Sequence, residues 1–136
     1  MIIDATDLIL GRLASYVAKK ALEGETIDLV NCEKAIISGN KENIIAKYME
    51  RRARSSPRRS YPRIPERFVK RAIRGMLPYK KERGKKALKR IKCYQGIPKQ
   101  FKNKKIETVE EAKKSRSLIL KYITIKELCK QLGAKI

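Results

Sequence analysis

The apolar positions of this chain follow two different periods, and its elements change where the period changes. Ile2 to Asp4 is a short apolar run that reads as a buried strand. After a loop, Leu10, Leu13, Ala14, Val17, Ala18, Ala21 and Leu22 recur at helical spacing and so share one face of an amphipathic helix. Gly24 stands where a helix C-terminal cap belongs, and Ile27 to Asn31 reads as a second strand. Strand, helix and strand in this order form a βαβ unit, which favours parallel pairing. The expected body is therefore α/β.

Further along, a turn at Cys32 to Lys34 leads to the apolar run Ala35 to Ile37. Asn40 is the expected N-cap of a helix whose inward face is Ile44, Ile45, Tyr48 and Met49 and which ends in Arg51, Arg52 and Arg54. Phe68, Val69, Ala72, Ile73 and Met76 then mark the buried face of a helix that begins at Pro65 and stops at Gly75, with Pro78 blocking its continuation. Arg67, Lys70, Arg71 and Arg74 fall on its opposite face. Glu82 to Arg90 reads as another helix, with Ala87, Leu88 and Ile91 inward and Lys85, Lys86, Lys89 and Arg90 outward, broken by Tyr94 to Pro98. Thr108 to Glu111 has the form of a capping box opening a short polar helix. Leu118 to Ile123 reads as a strand. A second capping box, Thr124 to Glu127, opens a last helix with Ile125, Leu128, Cys129 and Leu132 inward and Gly133 as its stop.

Two stretches fit none of these patterns. Residues 54–65 and 98–106 hold too little apolar surface to offset an ordering cost of roughly 1–2 kcal/mol per residue, so both are expected to be mobile until a partner orders them. Phe101, inside the second, reads equally as an anchor on the body or as a stacking surface for a base.

Charge changes the picture most. The net charge is +21 over 136 residues, the length of one domain. Residues 51–105 hold 22 Lys and Arg against Glu66 and Glu82, whereas residues 1–50 sum to −2 and residues 106–136 to +3. The expectation is a single domain, 1–136, with a basic region at 51–105. Solubility needs a net charge of only roughly 2 to 8, so this block calls for a polyanion. Candidate phosphate contacts within it are Arg54, Arg58, Arg59, Arg63, Arg67, Lys70, Arg71, Arg74, Lys85, Lys86 and Lys89.

Catalysis finds little support. The chain has no His, no acidic cluster with metal-ligand spacing, and no Ser or Cys beside a plausible base. Thr6 to Arg12 carries one glycine where a pyrophosphate fingerprint needs three, and there is no Walker-type motif. Neither an enzyme nor a cofactor is expected. Cys32, Cys93 and Cys129 form no CxxC pair, so they read as buried or unimportant thiols. No apolar run is long enough to span a bilayer and the start lacks a signal peptide's regions, so an intracellular location is expected, with neither a membrane nor a small-molecule substrate as partner.

Among polyanions, basic helices mixed with Pro- and Arg-rich loops suit an irregular folded RNA, on which Tyr61, Tyr79, Tyr94 and Phe101 could stack. No helix-turn-helix, zinc finger or heptad array is visible, which disfavours sequence-specific reading of duplex DNA. A free-standing RNA chaperone or a DNA-compacting protein is the alternative reading of the same charge.

Particular residues narrow this further. Asp4-Ala5, Leu10-Gly-Arg-Leu-Ala-Ser15, Val30-Asn31 with Glu33-Lys34, Ser38-Gly-Asn-Lys41, Lys47-Tyr48, Gly75-Met-Leu-Pro78 and Tyr94-Gln-Gly96 together resemble the universal large-subunit ribosomal protein thirteen family, in order across about residues 4–98. The resemblance implies a three-layer α/β/α body with a mostly parallel four-stranded sheet. It also implies a structural role in the large ribosomal subunit, binding to 23S-type rRNA early in assembly, and neighbouring large-subunit ribosomal proteins as partners. Carried over position by position, the resemblance implies that the family's RNA contacts fall on Arg12 and on the basic residues around Gly75 to Pro78, including Arg67, Lys70, Arg71, Arg74, Lys80, Lys81 and Arg83. Gly96-Ile-Pro98 and the absence of a long C-terminal extension resemble the archaeal branch.

Overall fold

The computed structural model describes residues 1–54, 62–113 and 121–134. Along the chain these form β1 (Ile2–Asp4), α1 (Leu10–Leu22), β2 (Ile27–Val30), β3 (Ile36–Ser38), α2 (Lys41–Arg54), α3 (Pro65–Arg74), α4 (Glu82–Lys89), β4 (Ile91–Cys93), β5 (Tyr122–Thr124) and α5 (Ile125–Gln131). The body is mixed α/β. Its sheet is parallel, in the order β1-β2-β4, with Ile3 opposite Leu29 and Leu29 opposite Cys93. A separate antiparallel ribbon pairs β3 with β5, Ile37 lying opposite Ile123. The family resemblance implies four strands in one sheet; among the described residues three meet in it. Residues 114–120, most of the expected strand from Leu118, lie outside the described residues, as do Arg58, Arg59 and Tyr61.

Strand β4 corrects the sequence reading. Ile91 fits the helical spacing of Ala87 and Leu88, and so looks like the end of that helix. Instead Arg90 closes α4 and Ile91 enters the sheet, where its side chain is fully buried. A three-residue strand is too short to show a period of its own, and β2 supplies the hydrogen-bonding partner that decides its state.

Successive strand residues point to opposite faces, and both faces of this sheet are covered. Ile3, Ile27 and Leu29 enter the main core with Leu13, Val17, Phe68, Ile73 and Leu128, while Ile2 and Val30 turn the other way onto Phe101, flanked by Tyr94 and Ile106. The Tyr94 and Phe101 rings meet edge to face with centroids 5.5 Å apart. Phe101 is thus an anchor, and the segment expected to be mobile at 98–106 is held on the sheet by it.

The caps follow the sequence with one exception. Asn40 Oδ1 accepts from the amides of Glu42 and Asn43, and Thr124 Oγ1 from that of Glu127. The box at Thr108 does not form: the turn there is a 3-10 segment, Glu110–Ala112, preceded by buried Val109 with no side-chain cap. Burying Val109 and Ala112 in the core sets the backbone here, overriding the local capping signal.

Beside the sheet, the loop from β1 to α1 is fixed through Asp4. Its carboxylate accepts from the Thr6 amide and hydroxyl at 2.9 and 2.6 Å and from Asn31 Nδ2 at 3.1 Å. Burial pushes the Asp4 pKa up, but the Thr6 and Asn31 hydrogen bonds and the Lys34 charge outweigh it, and the net shift is downward. Asn31 holds the left-handed conformation, φ 56°, and its amide donates to Gly96.

Candidate nucleic-acid interface

Helix α3 separates its two faces as its sequence requires. Phe68, Val69 and Ile73 are fully buried, Arg67 is exposed, and Lys70, Arg71 and Arg74 are half-buried at their stems. The Phe68 ring meets Tyr48 of α2 with centroids 4.9 Å apart, and the Arg51 guanidinium lies 5.0 Å from the Tyr48 ring centroid, so packing in the core places a cation at the surface. Arg74 lies 4.2 Å over the Tyr79 ring in the turn that follows. That ring is therefore engaged by an arginine of the helix that precedes it.

Met76 departs from expectation. It was placed on the inward face of α3 with Ile73, yet the helix ends at Arg74; Met76 is 45% exposed, its sulfur 3.3 Å from Ser15 Oγ of α1. Leu77 goes inward in its place. The Gly75 to Pro78 turn leaves helical geometry, so helical spacing no longer says which way its residues point. Met49 of α2 is likewise 47% exposed.

The remaining candidates are distributed as follows. Lys80, Lys81, Arg83, Lys85, Lys86 and Lys89 are exposed along the turn and α4, and Arg12 is exposed on the first turn of α1. Arg54 is exposed and paired with Glu50 one turn back. Arg63 lies at the far end of α3, its guanidinium 3.1 Å from where a Cβ on Gly133 would stand, beside the C-terminus of α5. Arg90, expected to be outward, is half-buried and donates from Nη1 to the Ala21 carbonyl at 2.9 Å. It caps α1 and serves the fold.

Three elements converge on an open cleft of about 770 Å³. The first turn of α1 gives it Leu10 and Gly11, the last turns of α2 give Arg51 and Arg54, and the end of α3 gives Arg71, Ala72, Gly75 and Met76. Arg51, not among the candidates above, belongs to this constellation. Its signal was available in the sequence: Lys47, Arg51 and Arg54 recur at four and three along α2. A smaller groove of about 490 Å³, lined by Ser15, Lys19 and Arg83 among others, shares Met76 with the cleft.

Among the described residues no group of three or more His, Cys, Asp or Glu could hold a metal ion, and no helix is long and apolar enough to cross a membrane. Cys32 and Cys129 are buried; the Cys93 thiol and burial hold Cys32 well above the ordinary thiol range, and burial pushes Cys129 up to about 12.

A mixed α/β body bearing arginines and lysines from α1 through α4 is that of a polyanion-binding protein. Comparison with known proteins gives the family. The family model described as Ribosomal protein L13 matches residues 1–100. The large ribosomal subunit protein uL13 of Methanocaldococcus jannaschii is 48% identical over 140 residues, covering 98% of both chains. The proteins of the same name from Methanococcoides burtonii and Methanococcus maripaludis are 45% and 46% identical, over 98–99% of this chain and 98% of theirs. The chain belongs to the ribosomal protein L13 family.

Proposed function

We propose that this chain is a structural constituent of the large ribosomal subunit, that it binds 23S-type rRNA through its basic face, and that it supports early subunit assembly beside neighbouring ribosomal proteins. It is not an enzyme. The observation that carries the reading is the concentration of charge: +20 within residues 51–105, displayed from helices whose other faces form the core. Such a surface neutralises phosphates on several sides of a folded RNA. Its contacts are Arg12, Arg54, Arg58, Arg59, Arg63, Arg67, Lys70, Arg71, Arg74, Lys80, Lys81, Arg83, Lys85, Lys86 and Lys89, joined by Arg51. Its location is cytoplasmic, with the ribosome. Residues 1–136 act as one domain, since a single core cluster runs from Ile3 to Leu132.

The finer architecture of the family, four strands in three layers, is supported at the β1 edge. The Asp4 amide donates to the Glu107 carbonyl and the Glu107 amide to that of Ile2, both at 2.8 Å, so the chain around Glu107 lies parallel to β1 as a further edge. Sedimentation tests the function. The chain should travel with large ribosomal subunits through a moderate-salt wash; recovery in the free or nucleoid fraction would point instead to an RNA chaperone or a DNA-compacting protein.

A further inference from the structure

Gly11 sits in the first turn of α1 in ordinary helical conformation, a position where glycine costs up to about 1 kcal/mol relative to alanine. No neighbour within the protein demands it. A Cβ built there meets no atom within 4 Å, and the open space it would enter is the cleft between α1, α2 and α3. A second glycine, Gly75, lines the same cleft, also without a positive φ. The walls between them are of two kinds. Ile9, Leu10, Ile37 and Met76 are apolar, whereas Arg51, Arg54 and Arg71 are cationic. Met76 leaves 45% of its surface uncovered, and α1 opens on Ile9 without a side-chain cap.

From this we infer that the cleft receives one nucleotide turned out of the bound rRNA, with its base against Met76 and Ile37 and its phosphate among Arg51, Arg54 and Arg71. The inference rests on the rRNA-binding reading and adds the place where a base is taken up. A flat phosphate-contacting surface requires cations alone, and the α4 face with Lys85, Lys86 and Lys89 has that character. The open cleft adds apolar walls, which suit the planar, weakly polar face of a base while the sugar-phosphate stays at the charged rim. About 770 Å³ lies within the roughly 300–1,000 Å³ range of sites that take small organic ligands of a nucleotide's order of size. The two glycines leave room for the nucleic-acid backbone to approach the protein main chain.

Zero-length ultraviolet cross-linking tests this, because such adducts form with bases and not with phosphates. Large subunits containing the chain are irradiated, digested and analysed by mass spectrometry, alongside subunits containing the Gly11→Leu variant, whose side chain fills the cleft without meeting a protein atom at its Cβ. The expected result is a mononucleotide adduct on the peptide carrying Met76 or Ile37. Gly11→Leu should abolish it while adducts elsewhere on the chain persist and the melting temperature of the free protein does not fall. Gly75→Ala, where a Cβ finds only ordinary contact at 3.5 Å, should reduce the adduct by a second route. Adducts confined to peptides outside the cleft would overturn the inference and leave rRNA binding standing, as would cross-links from these peptides to another protein. The absence of any RNA adduct on the chain would overturn both.

Discussion

Gly84 holds α4 against the turn that follows α3, and replacing it by alanine should loosen that junction. The residue is buried, and a Cβ built on it would overlap the Pro78 carbonyl group and stand 2.8 Å from the Tyr79 amide nitrogen, where ordinary contact begins near 3.4 Å. Both obstacles are main chain. The Pro78 carbonyl also accepts from the Lys81 amide at 2.9 Å, so it cannot swing aside without weakening the turn. Overpacking of this kind costs about 1–3 kcal/mol and the strained hydrogen bond about 1 kcal/mol, against a gain of up to about 1 kcal/mol from alanine's helix propensity. The net is a loss of about 2 kcal/mol, which for a chain of this size lowers the melting temperature by roughly 6–8 °C. Scanning calorimetry on the free protein measures it, with Gly11→Ala as the control, since that Cβ meets nothing within 4 Å and should leave stability equal or slightly higher. Affinity for rRNA should also fall in Gly84→Ala although no charge is lost, because Tyr79, Lys80 and Lys81 ride on the displaced turn. A Gly84→Ala protein melting at or above the parent temperature would refute the packing argument.

Charge and packing on α3 should fail differently. Changing Arg67, Lys70, Arg71 and Arg74 to Gln should leave folding nearly unchanged but make the slope of log affinity for rRNA against log salt shallower by up to about three units, at roughly 0.7–0.9 per phosphate contact; an unchanged slope in a salt titration would remove that face from the interface. Ile73→Ala, at a fully buried position, should cost about 2–5 kcal/mol in chemical denaturation, with RNA affinity declining only as far as the folded fraction does. The raised thiols make a third case. In the native protein at about pH 8, iodoacetamide should spare Cys32 and Cys129 and reach half-buried Cys93 first. Because burial holds the folded Cys129 pKa near 12, above the ordinary thiol value of 9.0, its contribution to stability is complete below about pH 9 and is lost as pH rises towards 12. Equal labelling of all three thiols in the folded chain would contradict the burial assigned to them.

The sequence alone determined whatever depended on neighbours a few residues apart. The stripe from Leu10 to Leu22 defined α1, Pro65 and the apolar face at Phe68, Val69 and Ile73 defined α3, and Thr124 with Glu127 opened α5, because helix periodicity and capping are local. The basic block was equally legible, since charge adds along a chain whatever its shape. Tertiary structure decided the rest. Strand β4 exists because β2 lies beside it, and Ile91 carries no mark that separates it from the helix before it. Phe101 became an anchor because Ile2 and Val30 leave one sheet face open to it, 71 residues and more away in sequence. Arg90, one cation among 22 in the block, was withdrawn from the surface by the Ala21 carbonyl. The cleft that joins Gly11, Arg51 and Gly75 has no local sequence signature, because its walls come from three helices and β3, whose spacing is set by the core beneath them.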